Sequence, residues 1–271
     1  MMIVFPSCKI NIGLHILDKR TDGFHNIETI FYPINQLSDV LEITPNSTKK
    51  SFTQKGILIE HQQENLVEKA CRLLEKHYDI PPTDIFLYKK IPVGSGLGGG
   101  SSDAAYTLKL LNTLFKLELN TTQLEQYAAQ LGSDCPFFID NIPALGTGKG
   151  EQLSPCRLPQ LSEKYIVIVK PDIQISTAEA YRHCTPVQRN VSLRETVKNP
   201  LPLWKDLLEN DFEKTLFPCY PKLKKLKEYL YDQGAIYASL SGSGAALFGI
   251  FADKPHLQNI EKGCFLFQGK L

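Results

Sequence analysis

The feature that most constrains the fold is a glycine-rich segment at residues 92–105, PVGSGLGGGSSDAA. It follows a strand-like segment at 84–91 and precedes apolar residues at 104, 108, 111 and 115, whose spacing predicts a helix that begins at Ser101 or Ser102. Glycine lets a ligand approach the main chain closely, and a helix start offers unpaired N–H groups. The segment therefore predicts a phosphate-binding loop, since a flexible linker would not open directly into an apolar-striped helix.

The glycine spacing alone does not identify the kind of loop. Gly94, Gly96 and Gly99 match the G-x-G-x-x-G pattern of dinucleotide-binding folds. That fold needs a second strand ending in an acidic residue about 20 positions on, whereas here another helical pattern follows and Glu118 has no convincing strand before it. No Lys-Ser or Lys-Thr follows the glycines, and the His-Arg-Asp and Asp-Phe-Gly motifs are absent, which excludes a Walker A loop and a protein kinase.

Composition excludes several further classes of function. The 271 residues carry 30 Lys and Arg against 29 Asp and Glu, a net charge of +1, so no basic excess points to nucleic acid. No apolar run of about 18 residues could cross a bilayer, and the N-terminus lacks the pattern of a signal peptide. Seven scattered cysteines without a C-x-x-C pair argue against a zinc knuckle or a disulfide framework. We therefore expect a cytoplasmic protein that binds neither nucleic acid nor a membrane.

Two segments place polar groups where they could serve a reaction. Residues 8–16 alternate between apolar and other residues, which predicts a strand whose second face carries Lys9, Asn11, Gly13 and His15. That face is either a solvated edge or the floor of a site. Asp134 follows a helical segment that Gly132 ends, and an isolated Asp in such a turn is usually a solvated cap.

The remaining patterns favour an α+β fold, because strands and helices mix without a regular alternation. Asn65 with Glu68 predicts a capped helix through residue 77, and Thr122 with Glu125 predicts another through residue 131. The second half contains a helical pattern at 222–233, strand patterns at 165–169, 235–240, 246–251 and 265–267, and a small-residue loop at 239–246. That loop is a turn as readily as a ligand-binding loop.

In chain order, these segments resemble the family of small-molecule kinases named for galactokinase, homoserine kinase, mevalonate kinase and phosphomevalonate kinase. The family motif Pro-x-x-x-Gly-Leu-Gly-Ser-Ser-Ala is matched at residues 92–104. The matching segments are PSCKIN (6–11), RTDGFH (20–25), GLGGGSS (96–102), LGSDCPF (131–137) and SGSGA (241–245). Cys8 replaces a common alanine and Phe24 stands where tyrosine is frequent, but neither change removes a reacting group.

The resemblance implies a two-lobed small-molecule kinase fold. Residues 1–155 would form an N-terminal Gly-loop lobe for ATP binding and catalysis, and residues 156–271 a C-terminal α/β lobe for the substrate. A stretch rich in proline and polar residues at 154–162 supports a boundary there.

The resemblance also implies phosphoryl transfer from ATP with Mg²⁺, a reaction that depends on positioning and charge stabilisation. Asp134 would take the proton from the attacking hydroxyl, and Lys9 would keep Asp134 ionised and stabilise the transferring group. No side chain is expected to bind the metal, which would share the charge of the phosphates. The ATP-binding residues would be Pro92, Val93, Gly94, Ser95, Gly96, Leu97, Gly98, Gly99, Gly100, Ser101 and Ser102.

The segment RTDGFH and the extra glycine are most similar to family members that phosphorylate the 2-hydroxyl of a methylerythritol carrying cytidine diphosphate, in non-mevalonate isoprenoid synthesis. Asn11 would then orient the sugar alcohol and His25 would hydrogen-bond the cytosine edge. Phe24 and Tyr181 would sandwich the cytosine ring, although Tyr181 rests on a looser match. A monomer or a weak homodimer is expected.

Two alternatives stay open. Another kinase of the family, of the homoserine or mevalonate type, would share the glycine-rich loop but would not need a nucleobase pocket. A non-catalytic nucleotide-binding module would explain the glycines, yet it would leave Lys9 and Asp134 without a role.

Overall fold

The computed structural model describes residues 1–46, 48–57, 65–182 and 184–271. Its strands are β1 (Met2–Val4), β2 (Ser7–Lys19), β3 (His25–Ser38), β4 (Val40–Pro45), β5 (Ser51–Gly56), β6 (Thr83–Lys89), β7 (Ala144–Thr147), β8 (Gln152–Pro155), β9 (Tyr165–Lys170), β10 (Tyr237–Leu240), β11 (Leu247–Phe251) and β12 (Phe265–Lys270). Its helices are α1 (Leu66–Glu75), α2 (Gly99–Leu114), α3 (Thr121–Leu131), α4 (Phe137–Asp140), α5 (Thr177–Arg182), α6 (Leu193–Thr196), α7 (Trp204–Leu207), α8 (Asp211–Cys219) and α9 (Pro221–Asp232). The mixture confirms the α+β class.

Two predicted helix starts are wrong. The helix after the glycine-rich segment begins at Gly99 rather than at Ser101 or Ser102, because the left-handed conformation of Gly98, with φ of 73°, marks the N-cap. The start of α3 is capped by Asn120, whose side chain accepts a hydrogen bond from the backbone N–H of Gln123. The Gln123 side chain accepts one from the Asn120 N–H, so this reciprocal pair replaces the predicted pair of Thr122 and Glu125.

The strands form three four-stranded sheets. The first has the order β1-β4-β6-β5, in which β5 and β6 are parallel, with α1 between them in sequence. The second has the order β2-β3-β7-β8, and the third has the order β10-β11-β9-β12 with antiparallel pairing throughout.

The chain groups into two compact units that do not follow chain order. The first unit contains residues 1–9, 33–93 and 98–142, and the second contains residues 10–32, 94–97 and 143–271. Residues 10–32, which the sequence assigns to the N-terminal lobe, thus group with the C-terminal residues. The predicted lobe boundary between residues 155 and 156 stays a prediction.

In the first unit, α2 packs against α1, α3 and α4 and against β1 and β4. It buries Ala104, Leu108 and Leu111 of the predicted apolar stripe. Burial of this stripe is what holds a helix of its length in place, because isolated helices are marginal in water. The helix that starts at the glycine-rich segment is therefore firmly anchored.

In the second unit, α9 packs on β10 and β11 and against α8. The helix contributes Leu223, Leu226 and Leu230, at helical spacing, to a core that it shares with Phe212 of α8 and Val167 of β9. In the described ranges no helix has the length and apolarity that a membrane span requires.

The polar face of β2 is not a solvated edge. Lys9 and Asn11 are each 2% exposed and His15 is 5% exposed. Polar groups are buried at this density only where hydrogen bonds or ion pairs compensate for the lost hydration. The interpretation that remains is that this face forms the floor of a site.

Candidate active site

Lys9 and Asp134, which lie far apart in sequence, form an ion pair in the first unit. The Lys9 Nζ atom lies 3.3 Å from Oδ2 of Asp134. Lys9 is held on β2 and is almost fully buried, whereas one third of the Asp134 side chain is exposed, in the turn between α3 and α4. The carboxylate thus has a buried cation on one side and is open to solvent on the other, so a substrate could reach it. Whether Asp134 acts as a general base stays a prediction.

The thiol beside this carboxylate does not compete with it. Burial raises the pKa of Cys135 to about 12, against a weaker opposing effect of its hydrogen bond with Ser101, and the charge of Asp134 raises it further. A thiol with this pKa stays protonated at neutral pH and is unreactive. Cys135 is thus not a candidate for proton transfer at neutral pH.

The start of α2 lies against the same lysine. A Cβ atom built on Gly98 would lie 2.9 Å from Cζ of Phe138 and 3.1 Å from Cε of Lys9. Gly98 also has a φ of 73°, which is strained for any residue with a side chain. Glycine is therefore required here on two grounds, and the Lys9 stem is placed beside the first turn of α2.

The glycine-rich segment exposes main-chain donors. Gly94, Gly96 and Gly98 all have φ between 59° and 75°, so the chain turns repeatedly before the helix begins. The N-cap Gly98 supplies no side-chain hydrogen bond, and the first turn of α2 contains no acidic residue. The N–H groups of Gly99, Gly100 and Ser101 precede the first bond of the helix, from the Ser102 N–H to the Gly98 carbonyl. These donors and the helix dipole favour an anion.

The small-residue loop at 239–246 packs against part of that segment in the second unit. Ser241 Oγ donates a hydrogen bond of 3.0 Å to the Gly96 carbonyl, and the Ala246 N–H donates one of 3.0 Å to the Ser95 carbonyl. A Cβ atom on Gly96 would lie only 2.0 Å from the Ser241 carbonyl oxygen. The loop therefore fixes the path of residues 95 and 96.

The residues predicted to bind the substrate lie in the second unit. Asn11 is buried and its Nδ2 donates a hydrogen bond of 3.0 Å to Thr29 Oγ1, which in turn donates to the Gly13 carbonyl. These bonds fix the orientation of the Asn11 amide. Whether that amide orients an alcohol stays a prediction.

His25 and Tyr181 are brought together as a stacked pair. Their ring centroids are 4.8 Å apart and the rings are inclined by only 14°. Phe212 packs against the Tyr181 ring in an edge-to-face arrangement, with the ring centroids 4.9 Å apart and the ring planes inclined by 84°. Burial lowers the pKa of His25, and the charge of Lys19 lowers it further, so the imidazole is neutral at pH 7. A neutral imidazole carries one donor and one acceptor.

Phe24, the other residue predicted to sandwich the base, lies at the surface of the second unit. Its side chain is 54% exposed, and Lys149 Nζ lies 4.8 Å from the ring centroid. The role of Phe24 in a base sandwich stays a prediction.

Sequence reasoning missed Asn210, a buried residue that organises the small-residue loop. Its Nδ2 donates hydrogen bonds of 2.9 Å to the carbonyls of Leu240 and Gly242, while its Oδ1 accepts one from the Phe212 N–H at the start of α8. The N-cap pattern Asn-Asp-Phe-Glu was visible in the sequence, but its long-range contacts were not.

Among residues 1–46, 48–57, 65–182 and 184–271, no group of three His, Cys, Asp or Glu side chains is arranged to hold a metal ion.

Comparison with known families gives matches in both halves of the chain. The model of the N-terminal domain of GHMP kinases matches residues 65–147, and the model of their C-terminal domain matches residues 192–264.

Curated relatives match over the full length. A 4-diphosphocytidyl-2-C-methyl-D-erythritol kinase of Parabacteroides distasonis is 48% identical, with 100% of each chain covered. The enzyme of the same name from Bacteroides fragilis is also 48% identical, again with 100% of each chain covered.

Solved structures agree in fold. A crystal structure of a 4-(cytidine 5'-diphospho)-2C-methyl-D-erythritol kinase has a TM-score of 0.79 and 31% identity, and the match covers 92% of this chain and 90% of that one. The mevalonate kinase of Methanococcus jannaschii has a TM-score of 0.70 at 14% identity, covering 98% of this chain and 97% of that one, which is similarity of fold alone.

Proposed function

The chain belongs to the GHMP kinase family, and we propose that it transfers the γ-phosphoryl group of ATP to the 2-hydroxyl of 4-diphosphocytidyl-2-C-methyl-D-erythritol. Family membership makes it an ATP-dependent small-molecule kinase. The substrate is carried over from the names of the full-length relatives. The structural observation that carries the proposal is the contact of Lys9 with Asp134 beside the first turn of α2.

The reaction divides between main-chain and side-chain groups. The N–H groups of residues 94–102 would bind the polyphosphate, and those of Gly99, Gly100 and Ser101 are offered by the start of α2. Asp134 would accept the proton of the attacking hydroxyl. Lys9, 3.3 Å from that carboxylate, would hold it ionised and stabilise negative charge on the phosphoryl group during transfer.

Mg²⁺ fits this site as an ion carried by the nucleotide. Mg²⁺ keeps several waters and is commonly held by one or two carboxylates together with substrate phosphates, rather than by a cage of protein ligands. When bound, the ion would reduce the charge on the phosphates.

Recognition of the cytidine would rest on His25 and Tyr181. A neutral imidazole can donate to and accept from the edge of a base, and a tyrosine whose orientation is held by Phe212 presents a stacking surface. Because these contacts are made by a remote part of the substrate, their loss should weaken binding first.

We expect Tyr181→Ala to raise the KM for the cytidine substrate about 5- to 150-fold, since base stacking is worth about 1–3 kcal/mol. His25→Ala should weaken the cytidine substrate more than its uridine analogue, because the analogue never made the full set of hydrogen bonds. Steady-state kinetics with both substrates, together with the KM for ATP as an internal reference, measures these effects.

Tyr229→Ala is the matched control, since Tyr229 packs against the same core and has no proposed contact with the base. It should lower the melting temperature and leave the KM for the cytidine substrate unchanged. If Tyr181→Ala and His25→Ala both keep the wild-type KM for the cytidine substrate, the nucleobase binds elsewhere. Faster turnover of homoserine or mevalonate than of the cytidine substrate would reject the proposed substrate and favour another kinase of the family.

A further inference from the structure

A buried ionic cluster in the first unit has no part in the mechanism above. It consists of Asp39, between β3 and β4, Lys89, at the end of β6, and Asp103, in α2. Each of the three side chains is at most 1% exposed. Groups of this kind are seldom buried without a specific reason.

The cluster contains more carboxylates than ammonium groups. Lys89 Nζ donates to Asp39 Oδ2 and, over 2.7 Å, to Asp103 Oδ2. Asp39 Oδ1 accepts from the N–H groups of Lys90 and Ile91, the latter over 2.9 Å. Asp103 Oδ1 has no hydrogen-bond partner among the described residues. Two carboxyl groups thus share one ammonium group, whose charge can balance only one of them.

The arrangement of the cluster shifts the pKa values of Asp103 and Lys89. Burial raises the pKa of Asp103 to about 8, although the charge of Lys89 lowers it, and Asp39 adds to the rise. Burial alone would lower the pKa of Lys89, but the two carboxylates outweigh that effect and raise it. Near neutral pH Asp103 is therefore mostly protonated, whereas Lys89 stays a cation and balances the remaining carboxylate charge of the cluster.

The ammonium group lies directly against the first residue of α2. A Cβ atom built on Gly99 would lie 3.2 Å from Lys89 Nζ and 2.8 Å from Cγ2 of Ile91. Gly99 therefore packs directly against the cluster, and there is no room for a side chain at this position. A buried ion pair is on its own a weak source of stability, so its position beneath an anion-binding turn calls for a second explanation.

We propose that Lys89 is a positioning residue for nucleotide binding, which acts by balancing the buried carboxylate charge beneath the first turn of α2. Without the ammonium, the carboxylates would repel the polyphosphate that the main-chain donors attract. Lys89 also ties the second turn of α2, through Asp103, to β6 and so fixes the direction of the free N–H groups. The proposal rests on the proposed function, in which that turn binds ATP phosphates.

The test is the affinity for ADP with Mg²⁺, measured by calorimetry without the second substrate. Lys89→Met should weaken ADP binding about ten- to hundredfold, because the buried carboxylates lose their counter-charge. Adding Asp39→Asn to Lys89→Met removes the carboxylate that has lost its counter-charge while keeping an oxygen for the N–H groups of Lys90 and Ile91, and this double variant should bind ADP within about threefold of the wild type. Asp103→Asn alone should bind ADP as tightly as the wild type or more tightly.

Lys109→Met is the matched control. Lys109 lies on the same helix, is partly buried, and donates a hydrogen bond of 2.7 Å to the Ile139 carbonyl, but it is not beneath the first turn. It should lower the melting temperature and leave the affinity for ADP unchanged.

Wild-type affinity in Lys89→Met, or a double variant that folds but binds as weakly as the single one, would overturn the proposal in favour of a purely structural cluster. If Lys89→Met does not fold, Asp103→Asn decides, since a tenfold loss of affinity there contradicts the charge argument and unchanged or tighter binding supports it. A wild-type protein that does not bind ADP at all would instead contradict the proposed function.

Discussion

Asp134→Asn is expected to lower turnover about 10²- to 10⁴-fold while the affinity for ATP hardly changes. The substitution keeps the size and the hydrogen-bonding capacity of the side chain but removes its ability to accept a proton, and a positioned general base contributes a factor of this order. The Lys9 ammonium, 3.3 Å away, would retain a neutral partner. Single-turnover kinetics with saturating ATP isolates the chemical step.

Asp140→Asn supplies the control for this variant. Asp140 is an exposed carboxylate at the end of α4, in the same compact unit as Asp134. Its removal should leave turnover unchanged. Full activity of Asp134→Asn would return Asp134 to the role of a solvated turn residue.

Gly98→Val is expected to abolish measurable nucleotide binding. The valine would have to adopt a φ of 73°, and its Cβ would lie 2.9 Å from Phe138 Cζ and 3.1 Å from Lys9 Cε. β-branched side chains tolerate this region of backbone conformation poorly. Either the first turn of α2 shifts or Lys9 and Phe138 move, and each change removes the arrangement that would bind the phosphates.

Gly234→Val is the control that separates a loss of stability from an effect on nucleotide binding. Gly234 also has a positive φ, of 93°, but a Cβ atom there meets nothing within 4 Å. This control should lose stability and retain nucleotide affinity in the same calorimetric titration. An unchanged ADP affinity in Gly98→Val would mean that the phosphates bind elsewhere.

The elements with strong local patterns were predictable from the sequence. The alternation at residues 8–16 led to β2, and the apolar spacing after the glycines led to α2. The exact start of α2 was not predictable, because the serines at 101 and 102 are better N-cap residues than a glycine. The structure shows the earlier start by the hydrogen bond from the Ser102 N–H to the Gly98 carbonyl.

The candidate site, like the fold, could be predicted from the sequence only in part. Lys9 and Asp134 could be singled out by resemblance, but their contact depends on chain folding that no local pattern records. Asp39, Lys89 and Asp103 look like ordinary surface residues in the sequence, since nothing local marks a charged side chain for burial. The compact units also could not be predicted, because residues 10–32 group with residues 143–271 only through long-range packing.

The most direct test of the central claim is the position of the phosphate in the product. Carbon 2 of 2-C-methylerythritol carries the methyl group and no hydrogen, so a phosphate ester on its hydroxyl has no proton within three bonds. After reaction of the wild-type protein with ATP and the cytidine substrate, ³¹P NMR should show a new monoester resonance without splitting by protons, in an amount equal to the ADP formed. A doublet or triplet, which marks an ester on a secondary or primary hydroxyl, or ADP release without any new ester, would contradict the account.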